Sequence, residues 1–387
     1  MSVPFVDLRV QYALIEERIR ANMDRVLEHG AYIMGPEIQE LEQRLGEYIG
    51  SRHAIGCSSG SDALLMALMA LDIGPGDAVF TSPFTFFATA EEIAMVGATP
   101  VFVDIDPVTF NLDPACLEQA IAALKAGDET IYPLPKGYDH LTPRAVIPVD
   151  LFGLAADYDR IEPLCKAHGL RIIEDGAQAF GATYKNRSSK ACGFGDIGCT
   201  SFFPAKPLGC YGDGGMCFTN DDALREKLTS IRIHGMGTDR YDNVRIGING
   251  RLDSLQAAVL LAKFEVFPDE VVARNRVARR YGELIKGDVL TPKIPEGYGS
   301  VWAQYSVLAR DAAHRESLRT LLNEQGIPTA VYYPIPLHLQ TAFSGLGYSK
   351  GSMPVSEDAG ERIFSLPMHP YLESEVQETI AAAINEL

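Results

Sequence analysis

No stretch of these 387 residues is apolar over the length that a bilayer-crossing helix needs. The amino terminus carries acids and arginines where a secretion signal would be apolar, so the sequence reads as a soluble, cytoplasmic protein. Cysteines are few, odd in number and scattered, at positions 57, 116, 165, 192, 199, 210 and 217. With no CxxC pair and no cluster of cysteine with histidine, neither a disulfide framework nor a metal site is expected. Positive charge is also scarce: 34 Lys and Arg against 51 Asp and Glu leave a net charge of −17. That balance argues against nucleic acid or an anionic membrane as partner. Internal repeats and low-complexity segments are absent as well, which excludes solenoid and fibrous architectures.

What is present is a chain long enough for a large core, expected as two lobes. After a helical stretch at Leu14–Glu28, strand-like runs alternate with helices up to about residue 265. Strands are expected at Ala78–Thr81, Thr99–Val103, Ala145–Val149, Leu170–Glu174, Cys199–Phe203 and Gly215–Thr219. Helical patterns fall at 37–49, 61–72, 87–96, 114–124, 157–168 and 221–232. The alternation predicts an α/β sandwich around a mostly parallel sheet. A long helix from Leu252 to Leu284 is expected to bridge to a smaller α+β lobe. The expected units are residues 1–265, including an amino-terminal arm at 1–35, and residues 266–387. The segment from Lys125 to Arg144 is long for a connection and reads as a surface excursion, with contact to substrate or a partner as the alternative.

Chemistry concentrates around Lys206 in Ser201-Phe-Phe-Pro-Ala-Lys206-Pro-Leu-Gly-Cys-Tyr-Gly-Asp213-Gly-Gly. Two prolines stiffen the turn and glycines open space beside it, as suits a lysine anchoring pyridoxal 5′-phosphate (PLP) through a Schiff base. Upstream, Leu170-Arg-Ile-Ile-Glu174-Asp175-Gly-Ala-Gln178 is an apolar strand ending in acids. Ligands gather at the carboxyl ends of strands in such sheets, so Asp175 is placed to face a pyridine nitrogen and Gln178 a phenolic oxygen. A helix cap is the plainer role for Asp175. Further upstream, Ser58-Ser59-Gly60-Ser61 opens a strongly apolar helix whose free N–H groups suit a phosphate. In Pro83-Phe84-Thr85-Phe86-Phe87, Phe86 is the candidate to stack on a planar ring, with Phe84 and Phe87 read as core. Cys210, close to Lys206, reads as a packed residue rather than a persulfide carrier.

Phosphate turn, aromatic, Asp-x-x-Gln and Ser-x-x-x-x-Lys, in that order, resemble the DegT/DnrJ/EryC1/StrS family of sugar aminotransferases. The resemblance runs from Pro4-Phe-Val-Asp-Leu, through Gly30-Ala-Tyr-Ile-Met-Gly35-Pro36-Glu37, to Ser365-Leu-Pro-Met-His-Pro370. It implies the aspartate aminotransferase-like fold (PLP fold type I), with Lys206 as the Schiff-base lysine and Asp175 as the pyridinium partner. Gln178 matches the phenolate contact, Phe86 the stacking position, and Gly60, Ser61 and Ser201 phosphate positions. Asn249, in Gly247-Ile-Asn249-Gly-Arg251, matches an asparagine that reaches the phosphate of the neighbouring subunit, so a homodimer with shared sites is implied. Relatives with histidine in place of the lysine dehydrate instead; Lys206 favours transamination.

On the substrate side, Arg232, Arg240, Arg245 and Arg251 form a basic island in an acidic chain, suited to phosphate or carboxylate. Tyr332-Tyr333-Pro334-Ile-Pro336-Leu-His338 matches the family's substrate wall, which makes Tyr332, Tyr333 and His338 candidates. Arg245 and Arg251 are candidates for a sugar carboxylate. The resemblance is strongest to enzymes that move the amino group of L-glutamate to C3 of UDP-2-acetamido-2-deoxy-3-oxo-glucuronate, for bacterial surface polysaccharide such as O-antigen. Alternatives are a dTDP-3-oxo-6-deoxyhexose or 4-oxo nucleotide-sugar aminotransferase, a PLP lyase or desulfurase, and a PLP-binding regulatory scaffold without turnover.

Overall fold

The computed structural model describes residues 3–239 and 241–387. Helix α1 (Leu8–His29) begins one and a half turns before the expected start, because Asp7 caps it by accepting the N–H groups of Arg9 and Val10. Helix α2 (Pro36–Ile49) opens on a proline, whose missing N–H costs nothing at that position, and closes on Gly50 in the left-handed region. Ile38, Leu41, Leu45 and Ile49 recur at helical spacing and are fully buried.

The central sheet uses β1 (His53–Cys57), β2 (Asp77–Thr81), β3 (Thr99–Phe102), β4 (Thr142–Ile147) and β5 (Arg171–Asp175). A short β6 (Thr183–Tyr184) lies outside it, and β7 (Ile197–Ser201) and β8 (Gly215–Thr219) complete it. The order is β1-β8-β7-β5-β4-β2-β3. Neighbours from β7 to β3 are parallel, whereas β8 runs antiparallel to both β7 and β1. Helices α3 (Gly60–Ala70), α4 (Ala88–Met95), α5 (Pro114–Ala126), α6 (Tyr158–His168) and α7 (Asp222–Ile231) supply the crossovers and flanking layers. Strand registers decide where chemistry converges. Gly215 pairs with both Cys57 and Ser201, and Asp175 pairs with Cys199, so one edge of the sheet collects the ends of β1, β5 and β7 with the start of β8.

The expected continuous helix from Leu252 to Leu284 is instead α8 (Ser254–Phe264) and α9 (Phe267–Leu284). Pro268 explains the break: it has no N–H to donate to Phe264, and its ring opposes the carbonyl one turn back. Beyond it, β9 (Tyr298–Gly299) pairs with β6, and β10 (Tyr305–Leu308) pairs with β11 (Ile363–Leu366). Helices α10 (Ala312–Glu324), α11 (Pro354–Arg362) and α12 (Ser374–Asn385) accompany them. A second core of Tyr281, Tyr305, Val307, Leu318, Phe364 and Ile380 fills this region. The segment between them returns to the first lobe, since Leu337, Phe343 and Met353 pack into the core under α5. The 125–144 excursion is tied to that same segment. Lys136 N–H donates to the Leu346 carbonyl at 2.7 Å, and the buried Tyr132 hydroxyl accepts from Asp104 N–H at 2.8 Å.

Candidate active site

The turn after β1 is built for close approach. Ser59 caps α3 by accepting Asp62 N–H, leaving Gly60 and Ser61 in the first turn of the helix, where backbone N–H groups have no partner within it. A Cβ on Gly60 would stand 2.6 Å from Ser201 Cβ, and one on Gly215 would stand 2.2 Å from the Ser59 carbonyl oxygen. The absence of side chains at Gly60 and Gly215 therefore lets the helix terminus and Ser201 share one spot. Positive dipole end, unpaired N–H groups and a serine hydroxyl together favour an anion there.

Asp175, the last residue of β5, is buried, and its carboxylate accepts from the Thr89 hydroxyl at 2.8 Å and from Ala177 N–H at 3.2 Å. Burial raises its pKa, while those two bonds and the charge of Lys206 pull the other way. Lys206 lies on a turn in which its N–H donates to the Phe203 carbonyl at 2.8 Å. Burial lowers the pKa of its amine, opposed by attraction to Asp175. The two groups sense each other without an ion pair among the described residues.

Gln178 is buried, with Oε1 accepting from Phe152 N–H at 2.8 Å and Nε2 donating to the Tyr333 hydroxyl at 2.8 Å. Tyr333 stacks on Phe152 at 14° and meets Phe84 edge-on. Tyr332 is half-buried beside it, with ring centroids 6.1 Å apart. Phe86 is 60% exposed, whereas Phe84 is fully buried and Phe87 packs against the core.

His338 is a correction. Its side chain is fully buried, 2.9 Å from Glu357 and close to the rings of Phe102 and Tyr348, so it anchors the returning segment and does not line the cleft. Burial lowers its pKa against the pull of Glu357. Of the basic island, Arg232 is also internal, donating to Glu42 at 2.6 Å and to the Gly56 carbonyl at 2.9 Å. Arg240 lies outside the described residues. Arg245 is half-buried, and Arg251 donates twice to Asn249 Oδ1, at 3.0 and 2.6 Å. Cys210 is buried, with its thiol directed at the carbonyls of Phe202 and Gly212, and burial raises its pKa, as suits a packed residue.

Four residues carried no assignment in the sequence. Thr89 holds Asp175 from α4, one helical turn beyond Thr85, to which it is hydrogen bonded. Phe152, at φ 56°, presents its N–H to Gln178. Asp150 and Glu174 form a buried carboxyl pair next to Asp175. Glu174 accepts from Phe194 N–H at 2.6 Å and from Cys192 N–H, and Asp150 accepts from the Tyr158 hydroxyl at 3.0 Å. The signal for Asp150 was an acid just past a strand end.

An anion cradle, a desolvated amine and a buried carboxylate supported by a hydroxyl are the three fixed points that PLP requires, and the residues fit it. Such a site at the strand ends of this sheet defines a fold type I PLP enzyme. The model of the DegT/DnrJ/EryC1/StrS aminotransferase family matches residues 13–385, and the chain belongs to that family, whose cofactor is PLP. It is 46% identical over 385 residues, covering 99% of both chains, to the UDP-2-acetamido-2-deoxy-3-oxo-D-glucuronate aminotransferase of Pseudomonas aeruginosa. It is 41% identical to the UDP-N-acetyl-3-dehydro-alpha-D-glucosamine 3-aminotransferase of Acidithiobacillus ferrooxidans, covering 99% of this chain and 97% of that one. A crystal structure of a DegT DnrJ EryC1 StrS aminotransferase from Brucella abortus superposes with a TM-score of 0.93, at 50% identity over 99% of each chain.

Proposed function

We propose that this aminotransferase moves the amino group of L-glutamate to C3 of UDP-2-acetamido-2-deoxy-3-oxo-glucuronate. The observation that carries the chemistry is the desolvated Lys206 amine beside the buried Asp175 carboxylate. The sugar rests on the 46% identity to the Pseudomonas enzyme. In this reading the protein is cytoplasmic and serves surface polysaccharide such as O-antigen. Its working lobes are residues 1–265 and 266–387.

PLP supplies an electron sink for the carbon that loses its proton. Lys206 would be the residue that holds it and the amine that carries the proton, and burial favours the neutral form of that amine. Asp175 supplies the negative charge for the ring nitrogen, and Thr89 fixes its orientation. Gly60 and Ser61 N–H groups with the Ser201 hydroxyl hold the phosphate, Gln178 the phenolic oxygen and Phe86 one ring face. Tyr332 and Tyr333 wall the sugar side, and Arg245 and Arg251 serve its charges.

A homodimer completes each site. Asn249 is exposed, and Arg251 occupies its Oδ1, which leaves the Nδ2 hydrogens outward as donors for the partner's phosphate. Exposed Tyr32, Ile33, Phe86, Phe203 and Ile246 suit burial against a second copy.

The test is glutamate with this 3-oxo-glucuronate, a dTDP-3-oxo-6-deoxyhexose or a 4-oxo sugar, scored for 2-oxoglutarate and the new amine. Amination of the first at the highest kcat/KM, with ping-pong kinetics, supports the reading. Preference for another sugar would refute the substrate, and absence of 2-oxoglutarate would refute transamination.

A further inference from the structure

Gln178 and Tyr333 lie 155 residues apart in sequence and are bonded to each other at 2.8 Å. The direction of that bond follows from the partner behind it. Phe152 N–H can only donate, so the Gln178 atom 2.8 Å away must be Oε1, and Nε2 must face Tyr333. Tyr333 Oη therefore accepts. A flipped amide would set N–H against N–H at Phe152 and leave a buried donor unpaired, which is the costly arrangement.

Tyr333 is held for this contact by more than the one bond. Its φ of 64° lies in the left-handed region, which a bulky residue rarely adopts and which persists where the surroundings enforce it. Phe152 stacks on its ring and Phe84 packs edge-on. Just downstream, Leu337 N–H donates to the Pro83 carbonyl at 2.8 Å, tying the segment to the turn that carries Phe84 and Phe86. Gly360 has no room for a Cβ larger than close contact allows, 3.2 Å from the Tyr333 carbonyl oxygen, so the backbone is braced from behind. Burial keeps the phenol protonated, and nearby Asp175 adds to that.

We propose that Tyr333 is a positioning residue for the cofactor, acting through Gln178. By taking one Nε2 hydrogen, it fixes the amide so that the second hydrogen points at the phenolic oxygen. This rests on the assignment of Gln178 to that oxygen, and it is independent of which sugar is aminated. A donor there stabilises the oxygen's negative charge without help from the proton on the lysine-bound nitrogen, so that proton leaves at lower pH. The Gln178–Tyr333 contact thus sets the protonation state of the resting holoenzyme as well as shaping the substrate wall.

The experiment is a pH titration of the visible absorption of holoenzyme, without glutamate or sugar, for wild type, Tyr333→Phe, Gln178→Leu and the double variant. Tyr333→Phe keeps the ring packing and removes only the acceptor, and apoenzyme melting temperature reports whether the fold is retained. The expected result is an upward shift of the midpoint by about one pH unit in Tyr333→Phe, a tenfold change in proton affinity. Adding Tyr333→Phe to Gln178→Leu should give no further shift, because the effect passes through the amide. An unchanged midpoint in Tyr333→Phe, whether or not the melting temperature falls, overturns the proposal. Additive shifts in the double variant overturn the route through Gln178. Because no sugar is present, a wrong substrate assignment leaves every one of these readings unaffected.

Discussion

Gly60→Ala should weaken cofactor binding about tenfold while leaving most of the fold intact. The added carbon would sit 2.6 Å from Ser201 Cβ and 3.2 Å from Ser201 Cα. That is about 1 Å inside an ordinary carbon–carbon contact. Two effects compete. Alanine in a helix is favoured over glycine by at most about 1 kcal/mol. Overpacking of this kind costs about 1–3 kcal/mol. Ser201 cannot retreat cheaply, because it is paired with Gly215, which itself lies against the Ser59 carbonyl. The strain therefore wins, and it is released by moving the helix terminus away from Ser201, the two sides of the anion cradle. A displacement worth about 1.4 kcal/mol in binding is a factor of ten in Kd. The assay is titration of apoenzyme with PLP, followed by absorbance, with Gly345→Ala as control because nothing lies within 4 Å of a Cβ there. A Gly60→Ala Kd within about twofold of wild type, with the control equally unaffected, would refute the reasoning.

Lys206→Ala should lose at least about a hundredfold in kcat, since both the anchor and the proton carrier are gone; a variant keeping a tenth of the rate would sink the assignment. Asp175→Asn should retain PLP but turn over slowly at saturating cofactor, because an amide supplies no charge to the ring nitrogen; a normal rate once PLP saturates would make Asp175 merely structural. Mixing Lys206→Ala with Asn249→Ala chains should give activity above either parent, as one site of each mixed dimer carries neither defect; simple averaging, with mixed dimers shown to form, would refute the shared site. Burial raises the pKa values of Asp150 and Glu174; the charge of Asp150 adds to this at Glu174, whereas the bond from Glu174 opposes it at Asp150. The folded state therefore binds more protons than the unfolded one above the ordinary carboxylate pKa of about 4, and this contribution to stability falls as pH rises from there. Urea denaturation of Asp150→Asn should show a flatter decline between acidic and neutral pH than wild type, and an unchanged slope would exclude the pair as its source.

The parallel sheet was legible because its strands are short apolar runs between amphipathic helices, and the observed ends at Thr81, Phe102 and Thr219 fall within one residue of those expected. The edge strand β1 was not, since His-Ala-Ile-Gly-Cys lacks a strong β pattern and forms only by pairing with β8. Periodicity carried the helix reading across Val266 because apolar spacing continues there, and the proline at 268 overrode it locally. His338 was misplaced for a related reason: its motif is extended and proline-rich, but the chain turns through a short 3₁₀ segment that points the ring at Glu357.

Side chains whose chemistry is their own, such as Lys206 and Asp175, announce themselves by residue type at the end of a strand. Residues that act by holding others do not. Thr89, Phe152 and Asp150 have ordinary identities, and their importance lies in what they face: a carboxylate, an amide oxygen and a second carboxyl group. Phe152 contributes a backbone N–H, which every residue but proline has, and only its φ of 56° marks it. The same holds for Tyr333, whose positive φ accompanies a bond to Gln178, 155 residues away in sequence. The groups proposed for catalysis are thus written locally, whereas the geometry around them is written in pairings between segments that meet only in the folded chain.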